Sequence, residues 1–192
     1  MEKKKSYISS ERTKKKIKDT FVRLYADNGT DSFSVSALCK ECHIARSSFY
    51  LYYESKNALL DEIKWDLIEE TREINNRISA ELVRNPDTHL IKEIALNNFR
   101  FIKSSQAKYK VLMSPDGFTD FASLWCSEIQ GEITRQLLSH STSKKPQSIA
   151  VTVFSRALIG IYTDFIFGRT DMSEKELADY MIALLNYLVT KA

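Results

Sequence analysis

Residues 34–53 run Ser34-Val35-Ser36-Ala37-Leu38-Cys39-Lys40-Glu41-Cys42-His43-Ile44-Ala45-Arg46-Ser47-Ser48-Phe49-Tyr50-Leu51-Tyr52-Tyr53. The Ser34 hydroxyl is placed to cap a short helix carrying Val35, Ala37 and Leu38, by accepting from N–H groups of its first turn. His43-Ile44-Ala45 then turns the chain into a second short helix, expected over 46–53. With Phe49 facing inward onto Ile44 and Leu38, the side chains of Arg46, Ser47, Ser48, Tyr50 and Tyr52 face outward. Two short helices joined by a tight turn make a rigid wedge with one polar face.

The pattern extends on both sides. Upstream, Ile17, Phe21, Leu24 and Asn28 recur at helical spacing, with Thr20 and Tyr25 beside them. This helix is expected to start near Ser10, and Gly29 stands where a left-handed C-cap is wanted. Downstream, Ser55 caps a long helix carrying Leu60, Ile63, Leu67, Ile74, Ile78 and Leu82, which ends before Pro86. Further helices are expected at about 88–103, 106–113, 118–140, 147–168 and 173–190. Ser114-Pro115-Asp116-Gly117 is the strongest break, and Ser173-x-x-Glu176 is a capping box. Five Gly and three Pro in 192 residues leave little for the turns of a β fold. The reading is all-α, with about nine helices and no repeats. A three-helix N-terminal domain is expected over 8–68 and a helical C-terminal domain over 69–192, with the boundary inside the fourth helix.

Charge points to the partner of the first domain. Residues 1–64 hold 13 Lys/Arg against 9 Asp/Glu, whereas 65–192 hold 15 against 16. A basic front on a near-neutral body suits contact with a polyanion. A helix fits the major groove of double-stranded DNA while its neighbours fix its angle. Arg46 can offer a bidentate fork to guanine, the serines allow close approach, and tyrosine hydroxyls reach phosphate oxygens. Lys14, Lys15, Lys16 and Lys18 have two readings, backbone contact beside the groove or a solvated face.

The segment from Thr13 to Ile63 resembles the tetracycline-repressor (TetR-like) family. The likeness rests on Ile17, Phe21, Leu24 and Gly29, on Ser34-Val35, on Ile44-Ala45-Arg46-Ser47-Ser48-Phe49-Tyr50, and on Tyr53-x-x-Lys56-x-x-Leu59-Leu60. It implies that Tyr50 and Lys56 contact phosphates, and that the first half of the reading helix contacts bases. It also implies a dimer, with a four-helix interface from the last two helices. Three positions depart from the family pattern: Ala45 replaces a capping Ser or Thr, Ser47 a smaller residue, and Tyr52 a His. These changes bear on the operator sequence. The DNA-binding residues expected are therefore Ser34, Arg46, Ser47, Ser48, Tyr50, Tyr52 and Lys56.

Other constellations are weaker. Cys39-x-x-Cys42-His43 spells a haem-attachment string, but no export signal precedes it and small-residue packing is the simpler reading. His43, His89 and His140 lack metal-ligand spacing, and no phosphate loop or nucleophile elbow occurs. No catalytic residue, metal or cofactor is expected. Asp164, an isolated acid in an apolar helix, is expected to pair with Arg156 or a partner subunit, or to line a pocket. Interrupted by Arg156 and Asp164, that stretch makes a poor membrane span. Together with three cysteines in no disulfide framework, this places the protein in the cytoplasm.

The C-terminal half is rich in aromatics, most of them core. The resemblance implies that some line an effector pocket, and the candidates are Phe99, Tyr109, Met113, Trp125 and Tyr162, around a small apolar molecule. The helix over 147–168 is apolar around most of its circumference and needs cover on both sides. The expected function is an effector-released repressor that binds a palindromic operator as a homodimer. Two alternatives stand beside it. The run from Tyr109 to Gly117, followed by Phe121, resembles a branch that includes regulators controlled by a protein co-regulator. The other is a nonspecific architectural DNA-binding protein.

Overall fold

The computed structural model describes the backbone of residues 2–28, 33–84, 88–114, 120–140 and 147–191, and side chains from Ser10 to Leu188 with further gaps. Among the described residues it is all-α: α1 (Glu2–Asn28), α2 (Val35–Glu41), α3 (Arg46–Tyr50), α4 (Lys56–Arg84), α5 (Thr88–Ser104), α6 (Gln106–Leu112), α7 (Phe121–His140), α8 (Gln147–Phe167) and α9 (Glu174–Lys191). The expected C-cap at Gly29, the stop at Pro86 and the break at 115–117 lie outside the described residues, as do the side chains of Ile78 and Leu82.

Local chemistry explains most of the boundaries. Ser34 Oγ accepts from the Ala37 N–H at 3.1 Å and Ser55 Oγ from the Ala58 N–H at 3.1 Å, each closing one orphan donor. Ser173 and Glu176 form the reciprocal capping box: the Ser173 N–H donates to Glu176 Oε2 at 2.8 Å and the Glu176 N–H to Ser173 Oγ at 3.3 Å. Two expectations are corrected. First, α1 starts at Glu2 rather than Ser10, because the Lys-rich run ahead of Ser10 contains no Gly or Pro to break a helix. Second, regular α3 stops at Tyr50, and Leu51 and Tyr52 form a tightening turn in which the Tyr52 N–H bonds the Phe49 carbonyl at 2.9 Å.

The chain divides into two units. The first comprises residues 1–66 with 107–119. There α1 packs on α2 and α2 on α3, around Ile17, Phe21, Leu38, Phe49, Leu59 and Ile63, all buried. The second comprises 67–106 with 120–192, where α8 packs against α5, α7 and α9, and α9 also packs on α5. Its core holds Phe99, Ile102, Phe121, Trp125, Leu158, Tyr162 and Ile166. One helical stretch, Ile149–Phe167, is long and apolar enough by length and composition to cross a membrane. Within it Arg156 and Asp164 are both exposed. Of the three readings of Asp164, the pairing with Arg156 is not the one formed: within the chain it faces Arg169, at 4.0 Å. Within the single chain this helix is not covered all round, since Ile149 and Val153 are exposed.

Candidate nucleic-acid interface

The turn between α2 and α3 sets the angle of the wedge. Ile44 N–H donates to the Cys39 carbonyl and His43 N–H to the Lys40 carbonyl, both at 3.0 Å, which is the paired bonding of a Schellman ending. That ending needs a left-handed residue, and His43 supplies it with φ +50°, the sole non-glycine residue of positive φ among the described residues. Glycine would adopt this conformation without the steric cost that a Cβ brings.

From this turn α3 emerges with Phe49 wholly buried, its ring 5.6 Å from that of Tyr53 and edge-on to Tyr50 at 5.4 Å. Around it Arg46, Ser47 and Tyr50 are exposed, whereas Ser48 and Tyr52 are half-buried. Arg46 donates to the Tyr50 hydroxyl at 3.4 Å, and its guanidinium sits 5.7 Å from the ring centre. This hydrogen bond raises the Arg46 pKa further, so the group is always charged. Ala45 at the N-cap makes no side-chain cap, as its chemistry dictates.

The remaining basic residues are partly spent within the first unit. Lys56 is half-buried, and its ammonium donates to the Phe33 carbonyl at 2.8 Å and lies 5.0 Å from the Phe33 ring. It thus ties the start of α4 to the segment that leads into Ser34. Lys14 and Lys18 bridge α1 to α4: Lys14 to Glu62 at 3.3 Å, and Lys18 to Glu62 at 2.7 Å and Asp66 at 2.5 Å. Burial alone would raise the Glu62 pKa, but Lys18 and then Lys14 outweigh it and hold the carboxyl below its ordinary value. Lys15 pairs with Asp19 along the helix, and Lys16 is exposed. Lys14 and Lys18 thus hold α1 to α4, whereas Lys15 and Lys16 stay on the exposed side of α1. Sequence reasoning missed Glu62 and Asp66, whose partners lie 48 residues away.

Cys39 and Cys42 are buried and unbridged, and Cys42 Sγ donates weakly to the Lys16 carbonyl at 3.9 Å. Burial pushes the Cys39 thiol up, away from the reactive thiolate. Both act as small packing residues under the turn.

In the second unit, three of the pocket candidates form one aromatic cluster. Phe99 lies edge-on to Tyr162 at 5.3 Å, and Tyr162 stacks on Trp125 at 5.3 Å with planes 17° apart. Tyr109 and Met113 belong to the first unit, where Tyr109 is buried and its carbonyl accepts from the Met113 N–H at 2.9 Å. A shallow cleft, open to solvent, is lined by Ile68, Thr71, Arg72 and Asn75 of α4 and Trp125, Glu128, Ile129 and Glu132 of α7. Of the pocket candidates it includes Trp125, and Arg72 pairs with Glu128 across it at 2.7 Å.

Comparison with known proteins follows the same division. Residues 17–63 match the family described as "Bacterial regulatory proteins, tetR family". The uncharacterized HTH-type transcriptional regulator YuxN of Bacillus subtilis (strain 168) is 46% identical over 46 residues, which span 24% of this chain and 16% of that protein. The fold as a whole is similar to a TetR transcriptional regulator from Streptococcus agalactiae 2603V, with a TM-score of 0.66 at 20% identity, covering 94% of this chain and 97% of that one. It is also similar to the dihydroxyacetone kinase operon activator DhaS, with a TM-score of 0.60 at 19% identity, covering 93% and 95%.

Proposed function

We propose, from the premise that this chain is a TetR-family transcriptional regulator, that it binds a roughly palindromic operator as a homodimer and releases it when an effector occupies the second unit. One observation carries the reading: Phe49 is fully buried while Arg46, Ser47 and Tyr50 of the same short helix are exposed. A recognition helix needs one face anchored and the other available to base edges. In this reading Arg46 reads a base, with Ser47 and Ser48 allowing close approach. Ser34, Tyr50, Tyr52 and Lys56 meet phosphates. Such a domain spans 8–68, the remainder serves effector binding and dimerisation, and the protein works in the cytoplasm.

The dimer is supported by an apolar surface that one chain leaves uncovered. Ile149 and Val153 of α8 and Tyr180 and Tyr187 of α9 are exposed, on two helices that pack side by side. On α8, Gly160 is exposed and a Cβ added there meets nothing within 4 Å, so a second backbone could approach. Effector control requires that the ligand favour the DNA-incompetent state, since equal affinity for both shifts nothing. The aromatic cluster of Phe99, Trp125 and Tyr162 beside the α4–α7 cleft is the proposed pocket; Tyr109 and Met113 are kept as candidates beyond it.

Competition binding tests the reading. A regulator prefers its operator to random duplex by about 10³ or more, whereas an architectural protein would bind both alike. The sign of regulation is separate, and the likeness to DhaS, an operon activator, keeps activation as a second reading.

A further inference from the structure

We propose that two copies of this chain meet with their α8 helices antiparallel and crossing at Gly160, so that Arg156 of each pairs with the partner subunit's Asp164. The proposal rests on the dimer reading above and gives that surface its register and the residues that select it.

The exposed side of α8 is a single stripe. Ile149, Val153, Arg156, Gly160 and Asp164 are all exposed. Steps of four, three, four and four residues keep them within about a quarter of the helix circumference. Phe154, Leu158, Tyr162 and Ile166 are buried, on the side turned to the core. Arg156 and Asp164 are the sole charged residues in the 21 of α8, and both fall on the open stripe. They do not pair within one chain. Asp164 faces Arg169 at 4.0 Å, with both side chains more than half exposed, and Arg156 makes no ion pair among the described residues. A carboxylate with two oxygens can take a second cation beside Arg169.

Symmetry supplies that cation. Arg156 stands four residues before Gly160 and Asp164 four residues after it. A two-fold axis through an antiparallel crossing sets each residue opposite the one equally far beyond the crossing on the partner. With the crossing at Gly160, two opposite-charge pairs form together, about 6 Å along the helix to either side. A parallel crossing would instead set Arg156 against the partner's Arg156 and Asp164 against the partner's Asp164, like charge on like. Gly160 suits the crossing point because it has no side chain to hold the backbones apart, and a Cβ built there meets nothing of its own chain within 4 Å. Seven residues out, Val153 faces the partner's Phe167. That apolar contact limits the access of water to each ion pair and strengthens it.

Charge reversal on the full chain, read by sedimentation velocity over a concentration series, tests this. Arg156→Glu and Asp164→Arg should each weaken the dimer by about tenfold or more, since both pairs turn repulsive. The two changes combined should return the dimer Kd to within about threefold of the unaltered chain. Cross-linking gives a second measurement on exposed positions. In a Cys126→Ser background, Gly160→Cys should oxidise to a covalent dimer. Ile149→Cys should not, because its two copies lie roughly 30 Å apart in the antiparallel register. A dimer unmoved by either single reversal, no recovery in the combination, or cross-linking through Ile149→Cys and not Gly160→Cys would overturn the register while the dimer stands. An unaltered chain that stays monomeric throughout the series would overturn both.

Discussion

The Arg46 guanidinium lies 3.4 Å from the Tyr50 hydroxyl, one turn along the exposed face of α3. The contact holds a long, flexible cation over its own helix without burying it, since Arg46 is exposed and Tyr50 nearly half exposed. A side chain held in this way loses less freedom when it meets a base edge.

Arg46→Ala should therefore cost about 1–3 kcal/mol of operator affinity and relax preference at one position per half-site. Tyr50→Phe should weaken all sequences by a smaller and uniform factor. Binding titrations over a set of single-base operator variants check both.

His43→Gly should stabilise the fold by about 1 kcal/mol, because glycine takes the left-handed conformation that His43 adopts at φ +50° with a steric penalty. Ala45→Ser should add a similar amount by capping α3, which has no side-chain cap. Thermal unfolding should show a rise of several degrees for each.

The tie between α1 and α4 predicts the response to acid. The Glu62 carboxyl is held below its ordinary pKa in the fold, so its stabilisation is present above the unfolded value near 4.5 and is lost as pH falls through the lower folded value. Glu62→Gln should flatten that part of the stability curve. At neutral pH it should cost on the order of 1 kcal/mol, for a pair that is partly solvated. Denaturant unfolding between pH 7 and pH 3 measures the difference.

The dimer proposal predicts that Gly160→Leu and Tyr180→Glu leave the monomer folded but shift it toward the single chain. Each places bulk or charge on the open apolar surface of α8 and α9. Sedimentation velocity over a concentration series should show a weaker dimer, and operator binding should fall with it.

What was legible in the sequence was local. Ser34, Ser55 and the Ser173–Glu176 box announce helix starts because a cap acts within three residues. Phe49 could be placed inside because it is the large apolar residue of a short segment that is otherwise mostly polar. Contacts set by the packing of distant segments were not legible: Lys18 could be read as a groove contact because nothing nearby reveals Glu62 and Asp66, 48 residues or so along the chain. The α4–α7 cleft was not legible for the same reason. Aromatic residues can be counted in the sequence, but the Arg72–Glu128 pair at its mouth exists only once two helices have met.

Selection of bound duplexes from a random pool, run in parallel with the unaltered chain and with Arg46→Ala, addresses the central claim most directly. The account predicts an enriched inverted repeat for the unaltered chain, and loss of one base preference in each half for the variant. No enriched sequence, or an identical enriched sequence for both proteins, would contradict the assignment of α3 as the helix that reads DNA.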